Sequence, residues 1–392
     1  MLSLRILLIQ ILIICSAQAA VKGNWKRHVI WNGLHNNVAV AADFTGDGKI
    51  DVISNAGSIT RLFVAPEWKQ FIIGNNKDHT FIHGETFDVD NDGDADFIGA
   101  RYQPGLIVWF EQPNKNSTST LWKARIAEDV IIGVHGVLKA DVNNDGKLDL
   151  LANSAQPKGR FPDSAVWLEV PTNPLTADRW KRHVFAKNDA PGLSHYLGAG
   201  DLNGDGLLDI TLAAKGGAQD KSGKGEWFAW WEATKDSTKT FKKHLLPGKH
   251  PGATNIMPAD VNGDGKLDII AGRGHGVGLI WFENPNWNIH DINTDLMSPH
   301  CLQVGDIDAD GDIDAVTCAY VSRKAAWFEN DGKGSFTTHI INNDQAAYDI
   351  RLVDMDADGD LDTLIAGQQS KNIVWFENPF RNPKRPSVNC SI

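Results

Sequence analysis

Long apolar runs, cysteine and tyrosine are all scarce in this chain, and each shortage narrows what it can be. The one long apolar run, Ile6 to Ile14, is too short to cross a bilayer, which takes about 20 residues, and no other follows. No membrane span is therefore expected. With Arg5 before it and Ser16 to Ala19 after it, the run reads instead as a signal peptide over residues 1–19, cut after Ala19. That predicts a secreted protein, periplasmic or extracellular. Ile14 is too large to precede Cys15 in a good lipoprotein cleavage site. Past the signal only Cys301, Cys318 and Cys390 remain, too few for a disulfide framework. Cys301 and Cys318 flank one loop closely enough for a cross-strand disulfide, or equally for two small buried thiols, and Cys390 is left over.

Aspartate, by contrast, is plentiful and recurs in one arrangement. Seven times the chain writes Asp-x-Asp/Asn-x-Asp-Gly-x-x-Asp or a near variant, with glycine always at position 6, as a tight turn with positive φ requires. Side chains at positions 1, 3, 5 and 9 and a carbonyl at position 7 can supply the about six to eight hard oxygens that Ca²⁺ takes. The candidate ligands of the first loop are Asp43, Thr45, Asp47 and Asp51, and those of the second Asp88, Asp90, Asp92, Asp94 and Asp96. The third loop offers Asp141, Asn143, Asp145 and Asp149, the fourth Asp201, Asn203, Asp205 and Asp209, and the fifth Asp260, Asn262, Asp264 and Asp268. The sixth has Asp306, Asp308, Asp310, Asp312 and Asp314, and the seventh Asp354, Asp356, Asp358, Asp360 and Asp362. Up to seven Ca²⁺ are thus expected. Affinity should follow ligand charge, tightest in the second, sixth and seventh loops with five carboxylates each, and weakest in the first, where Thr45 breaks the pattern.

The loops start 45, 53, 60, 59, 46 and 48 residues apart, the period of a repeat architecture. Before each comes an aromatic-led strand such as Trp25 to Ile30, Trp180 to Phe185 or Phe336 to Ile341. After it come a short apolar run and then Trp-Phe-Glu-Asn-Pro or a variant, beginning at Trp109, Trp167, Trp231, Trp281, Trp327 and Trp375. Short runs of β-formers bounded by Gly, Asn, Asp and Pro are strands, which gives four per repeat and almost no helix. The expected fold is all-β, a seven-bladed β-propeller over residues 20–379 with a short tail over 380–392. In this phase the lone N-terminal strand completes the seventh blade and closes the ring.

Strand direction then sorts the charge. The net charge is −11, but the seven loops alone sum to −24, so the rest of the chain carries +13. With every calcium loop on the bottom face, the top connections hold Arg101, Lys158, Arg160, Lys215, Arg273, Arg323 and further lysines against only Asp163, Asp220 and Glu226. A basic mouth points to an anionic partner, and the few aromatics among those arginines favour an anionic polysaccharide over nucleic acid. His83, His135, His195 and His300 stand five or six residues before a loop, at the upper start of the innermost strand, and Tyr102, Tyr196, Tyr320 and Tyr348 map to the same end. His35, His79, His250 and His275 fall on top connections, while His28, His183, His244 and His339 are structural residues of the outer strands.

Three roles are open to this cluster. Its members are polar channel lining, or His and Tyr are base and acid of a β-elimination with Arg101, Arg273 or Arg323 neutralising the developing charge, or the histidines hold Zn²⁺ or a similar divalent ion. The recurring tryptophans are blade packing, with the Trp227, Trp230 and Trp231 group a candidate for stacking on a sugar ring.

The repeated loops and the Trp-Phe-Glu-Asn-Pro motif over residues 25–379 resemble the FG-GAP or VCBS repeat family, calcium-loaded propellers like the integrin α head and several secreted lectins. Propeller-shaped polysaccharide lyases and aldos-2-ulose dehydratase are similar in architecture, although their catalytic motifs do not map residue by residue onto this chain. The resemblance implies the fold and the calcium loops. It leaves function between a carbohydrate lyase and a non-catalytic lectin, adhesion or protein-interaction module. Because each Ca²⁺ binds only the folded loop, chelator should lower the melting temperature substantially, and melting that ignores chelator would make the loops ordinary turns.

Overall fold

A computed structural model describes residues 24–113 and 117–380 of the chain. The expected signal peptide, Cys390 and the tail beyond Phe380 lie outside the described residues. Within them are seven four-stranded antiparallel sheets and no helix, so none long and apolar enough to cross a membrane. The sheets form the seven blades of a β-propeller. Six blades use four consecutive strands, innermost first, as in Ser194–Gly200, Asp209–Ala214, Trp227–Glu232 and Lys242–Leu245 of blade 4. Blade 7 has three strands from the C-terminal end, and its outermost strand is the N-terminal Lys26–Asn32, paired with Asn372–Glu377. The ring therefore closes as the repeat phase predicts.

Each repeat motif has a structural task. The tryptophan on the third strand is buried and stacks on a histidine of the fourth, at 4.0 Å for His28 on Trp375 and for His183 on Trp167. The same stack joins His244 to Trp230, His290 to Trp281 and His339 to Trp327. Each imidazole bonds the glutamate of the motif through Nε2, from 2.6 Å in His244 to Glu232 to 3.0 Å in His290 to Glu283. Blade 2 substitutes Arg125, which lies over Trp109 and pairs with Glu111. In blade 4 the stacking ring is Trp230, so the motif there begins one residue earlier than its sequence suggests. Trp227, Trp230 and Trp231 are all buried, which removes them as an exposed stacking platform for a sugar.

The last aspartate of every loop is also buried, and it clamps the blade. In loop 4 one oxygen of Asp209 accepts the amide of Leu202 at loop position 2 (3.0 Å), and the other accepts the amide of Ala233 after the third strand (2.8 Å). Asp96, Asp268, Asp314 and Asp362 repeat the pattern. In blades 2, 5, 6 and 7 the residue held after the third strand is Gln112, Asn284, Asn330 or Asn378. Its side-chain amide reaches 2.7–2.9 Å to the position-2 carbonyl of the preceding blade's loop, namely Phe44, Leu202, Val261 or Ile307. The position-2 residue is thus tied to its own blade through N–H and to the next blade through C=O, while its side chain packs in the core.

Cys301 and Cys318 face each other across the first two strands of blade 6 as free, buried thiols, not a disulfide. Burial raises the Cys301 thiol to about 12.

The clamp predicts that Asp209→Asn, which turns an N–H toward one of two buried amides, costs about 1–3 kcal/mol in chelator by denaturant unfolding. An unchanged midpoint would exclude a structural role. The outer ladder predicts acid sensitivity. Glu169 and Glu377 are held below the ordinary glutamate value of 4.5 by bonds first to Lys181 and Lys26, then to His183 and His28. In Glu232 the bond to His244 dominates, followed by Lys242. A depressed folded value stabilises fully above the unfolded value and is lost as pH falls through the folded one. Replacing all three by Gln should lower melting at neutral pH and flatten the acid limb below about pH 4.5, measured as melting temperature against pH.

Candidate functional site

The two ends of the channel differ in chemistry. At the bottom, loops 2, 6 and 7 bring carboxylates close enough to share one ion: an oxygen each from Asp88, Asp90 and Asp96, from Asp306, Asp308 and Asp310, and from Asp354, Asp356 and Asp362 lies within 4.8 Å of the others. These are the five-carboxylate loops. Buried oxygens of Asp90, Asp306 and Asp360 have no hydrogen-bond partner among the described residues, the condition of ligands that want a cation. Burial, then neighbouring aspartates, pushes Asp90 and Asp308 up to about 6 and Asp360 to about 7. In loops 3 and 4, Asn143 and Asn203 donate to Asp145 and Asp205 at 3.1 Å, although Asp149 Oδ2 of loop 3 has no partner among the described residues. In loops 1 and 5, Lys49 and Lys266 pair with Asp47 and Asp264. The donor sets of loops 2, 6 and 7 fit Ca²⁺ best.

At the top, one register of the repeat builds the site. Six residues before each loop stand Asn37, Ile82, His135, His195, Thr254, His300 and Tyr348, and three of these seven are histidine. His195 and His300 are buried, and His135 and Tyr348 are half-buried. His135 stacks on His195 at 3.8 Å, and Tyr348 on His300 at 3.8 Å. Thr254 turns back onto its own blade through Gly272, and from that blade's second turn the exposed His275 comes in, its Nε2 3.1 Å from Nε2 of His195. The backbone is tight here. A side chain at Gly136 would meet the His195 carbonyl at 2.7 Å, and one at Gly252, where φ is +79°, would meet His275 at 2.3 Å.

The imidazoles are held neutral. Burial first, then the charges of neighbouring His275 and Lys215, pushes His135 down to about 3. Packing against His195 and His300, although its outer side is exposed, and then the charge of Lys215 take His275 to about 4, and burial followed by the neighbouring histidines holds His195 and His300 well below the ordinary value. The tautomers follow from the carbonyls beside them: Nδ1–H of His195 donates to Leu193 O (3.0 Å) and Nδ1–H of His300 to Tyr348 O (3.2 Å), so both present a bare Nε2.

Not every candidate reaches this mouth. Tyr196 is buried beneath it, 3.3 Å from Nδ1 of His300, with burial holding its hydroxyl protonated. His83 lies beyond Tyr196 in a lower chamber of about 280 Å³, where Arg351 bonds it at 3.0 Å and pairs with Glu85 at 3.2 Å. Arg101 is tied to Asp78, Arg273 to the Val277 carbonyl and His250, and Arg323 to Asp344. None of these bonds goes to His135, His195, His275 or His300. Tyr320 packs on Tyr348 at 4.7 Å, and Tyr102 meets His135 edge-on at 5.8 Å. Sequence reasoning left Lys215 and His275 among the loop residues and missed Arg351 and Glu85. The repeat register flags the last two, three residues before their loops and facing the channel, whereas only the folded loops bring in the first two.

Residues 88–152, 201–271, 260–317 and 306–365 match the family model described as FG-GAP-like repeat. No curated protein matches the chain. Among solved structures, a streptogramin B lyase aligns with TM-score 0.60 at 10% identity, over 90% of this chain and 98% of that one. A lectin of Agrocybe aegerita that recognises non-reducing terminal N-acetylglucosamine aligns with TM-score 0.54 at 18% identity, over 89% and 87%. BBS1N in complex with ARL6DN aligns with TM-score 0.58 at 9% identity, over 94% and 100%. At these identities the likeness is one of fold.

Proposed function

This chain belongs to the FG-GAP-like repeat family, and we propose that it recognises an anionic carbohydrate at the histidine-lined mouth and processes it by β-elimination. Ca²⁺ in the acidic loops serves as a structural ion, and the N-terminal signal exports the protein to where calcium is abundant. The observation that carries the reading is the convergence of His135, His195, His275 and His300 with Tyr348 in ring contacts of 3.8–5.1 Å, with the charge of Lys215 bearing on all four imidazoles. Polar channel lining alone does not call for four neutral imidazoles around one point.

In the elimination a base takes the proton α to the sugar's carboxylate, the C–H electrons become the C=C bond, and the β C–O bond breaks as its oxygen gains a proton. The rim imidazole of His275 is the acceptor, and the half-buried phenol of Tyr348 is the donor. Lys215 offsets the charge that develops on the carboxylate, the work sequence reasoning gave to Arg101, Arg273 or Arg323. Beside the mouth a groove of about 370 Å³ runs between blades 1 and 2, lined by Asn36, Asn37, Asn55, Thr80, Arg101 and Tyr102. Amides, a guanidinium and a phenol suit the hydroxyls and carboxylates of further sugar units.

A panel of uronate-rich and neutral polysaccharides, incubated with the protein in calcium and followed by ultraviolet absorbance of unsaturated products, tests this. One uronate polymer should give a rising signal that His195→Ala abolishes with melting unchanged. Saturable, salt-sensitive retention without product would replace the enzyme with a lectin, and neither product nor retention would leave a protein-interaction module.

A further inference from the structure

We propose that His135, His195 and His300 form a three-histidine site for a divalent transition ion of the Zn²⁺ type, with an open coordination position beneath His275. One nitrogen from each of the three lies within 4.8 Å of the others. They come from blades 3, 4 and 6 at one register, so the rigid ring and not a flexible loop sets their spacing.

Their outer bonds are those of metal ligands. His195 and His300 each donate Nδ1–H to a backbone carbonyl, which fixes the ring and leaves Nε2 bare toward the shared space. His300 is 1% exposed, and its Nε2 has no hydrogen-bond partner among the described residues; nor has the buried Nδ1 of His135. A buried imidazole nitrogen without a partner is costly, and a cation would offset that cost. Nε2 of His275 and His195 stand 3.1 Å apart. Nitrogens about 2.0–2.1 Å from a tetrahedral zinc sit roughly 3.3 Å from one another, so His275 stands beside the position left open for a fourth ligand or a substrate atom and does not fill it. Among the described residues no carboxylate joins the set, which favours a nitrogen-preferring ion over the Ca²⁺ expected in the acidic loops.

Binding of the ion stands on this geometry alone. Its use in catalysis rests on the elimination reading, where it would supply the positive centre that the anchored arginines do not.

The test uses untagged full-length protein, stripped with chelator and returned to excess Ca²⁺ so that the acidic loops are filled. It is titrated with Zn²⁺ by calorimetry and with Co²⁺ by visible absorption. The expected result is one Zn²⁺ per chain, d–d bands of nitrogen-ligated Co²⁺, and Zn²⁺ affinity lower by about tenfold or more in His300→Ala and in His195→Gln. X-ray absorption of the zinc-loaded wild type should show nitrogen neighbours, which needs no variant to fold. Unchanged affinity and stoichiometry in both variants, or an all-oxygen first shell, would overturn the site. Zinc binding without unsaturated product from any polymer keeps the site and removes the elimination. Elimination that continues at full rate after zinc is stripped, in a chain that binds none, removes the site and keeps the enzyme.

Discussion

A buried carboxylate with two backbone amides to hold is the constraint on which the rest of the structure depends. Each loop ends in an aspartate inside the blade, a place where an unpaired charge could not stay. In five of the seven, two amides make it tolerable, one from the entry of its own loop and one from the end of the third strand; Asp51 and Asp149 accept the amide after the third strand, and their second oxygen has no partner among the described residues. Burial still raises these groups, Asp96, Asp314 and Asp362 to about 8, so these oxygens suit a proton or a cation as well as an amide. In four blades the residue held by the aspartate also donates to the preceding loop. Loop geometry and blade-to-blade contact are therefore one hydrogen-bonded system on the bottom of the ring.

With the ring fixed from below and by the Trp-His-Glu ladder on its outer strands, the upper start of the inner strands is free to vary. Seven residues share one register there, and four of them, His135, His195, His300 and Tyr348, meet at the mouth while Thr254 turns away. Filling three of the positions with histidine gives neutral lone pairs at a common height. The adjacent register carries Tyr196 and, one blade group away, His83, which close the floor and separate the mouth from the Arg351 chamber. A rigid scaffold with variable contacts at one end suits the preorganisation that acid-base or metal chemistry requires.

Most of the fold was legible because the repeat states it seven times. The loop spacing gives the blade count, the phase of the motifs gives the closing strand, and the difference between five and three carboxylates matches the loops where ligand oxygens cluster. The double role of the final aspartate was not legible, since a spacing rule for calcium does not reveal that the same side chain clamps two backbone amides. At the mouth, His135, His195 and His300 were legible from their shared register. His275 was not distinguishable from His250, because its approach depends on a turn threaded through Gly252 and on Thr254 folding away. The arginines misled for a related reason: acids on neighbouring top connections, Asp78 and Asp344, take up Arg101 and Arg323, and charge counted along the chain does not show pairing across blades. The tryptophans of blade 4 were likewise a composition signal that burial cancels.

Division of labour between the faces is the central claim, and a paired comparison reads it most directly. A top-face variant, His135→Ala with His300→Ala, and a bottom-face variant, Asp308→Asn with Asp310→Asn, would be measured side by side for melting temperature in calcium and for uronate-polymer binding and turnover. The top-face variant should melt like the wild type and lose turnover. The bottom-face variant should melt earlier and keep turnover wherever it is folded. Turnover that survives loss of the histidines, or that disappears from a fully folded bottom-face variant, would contradict the claim.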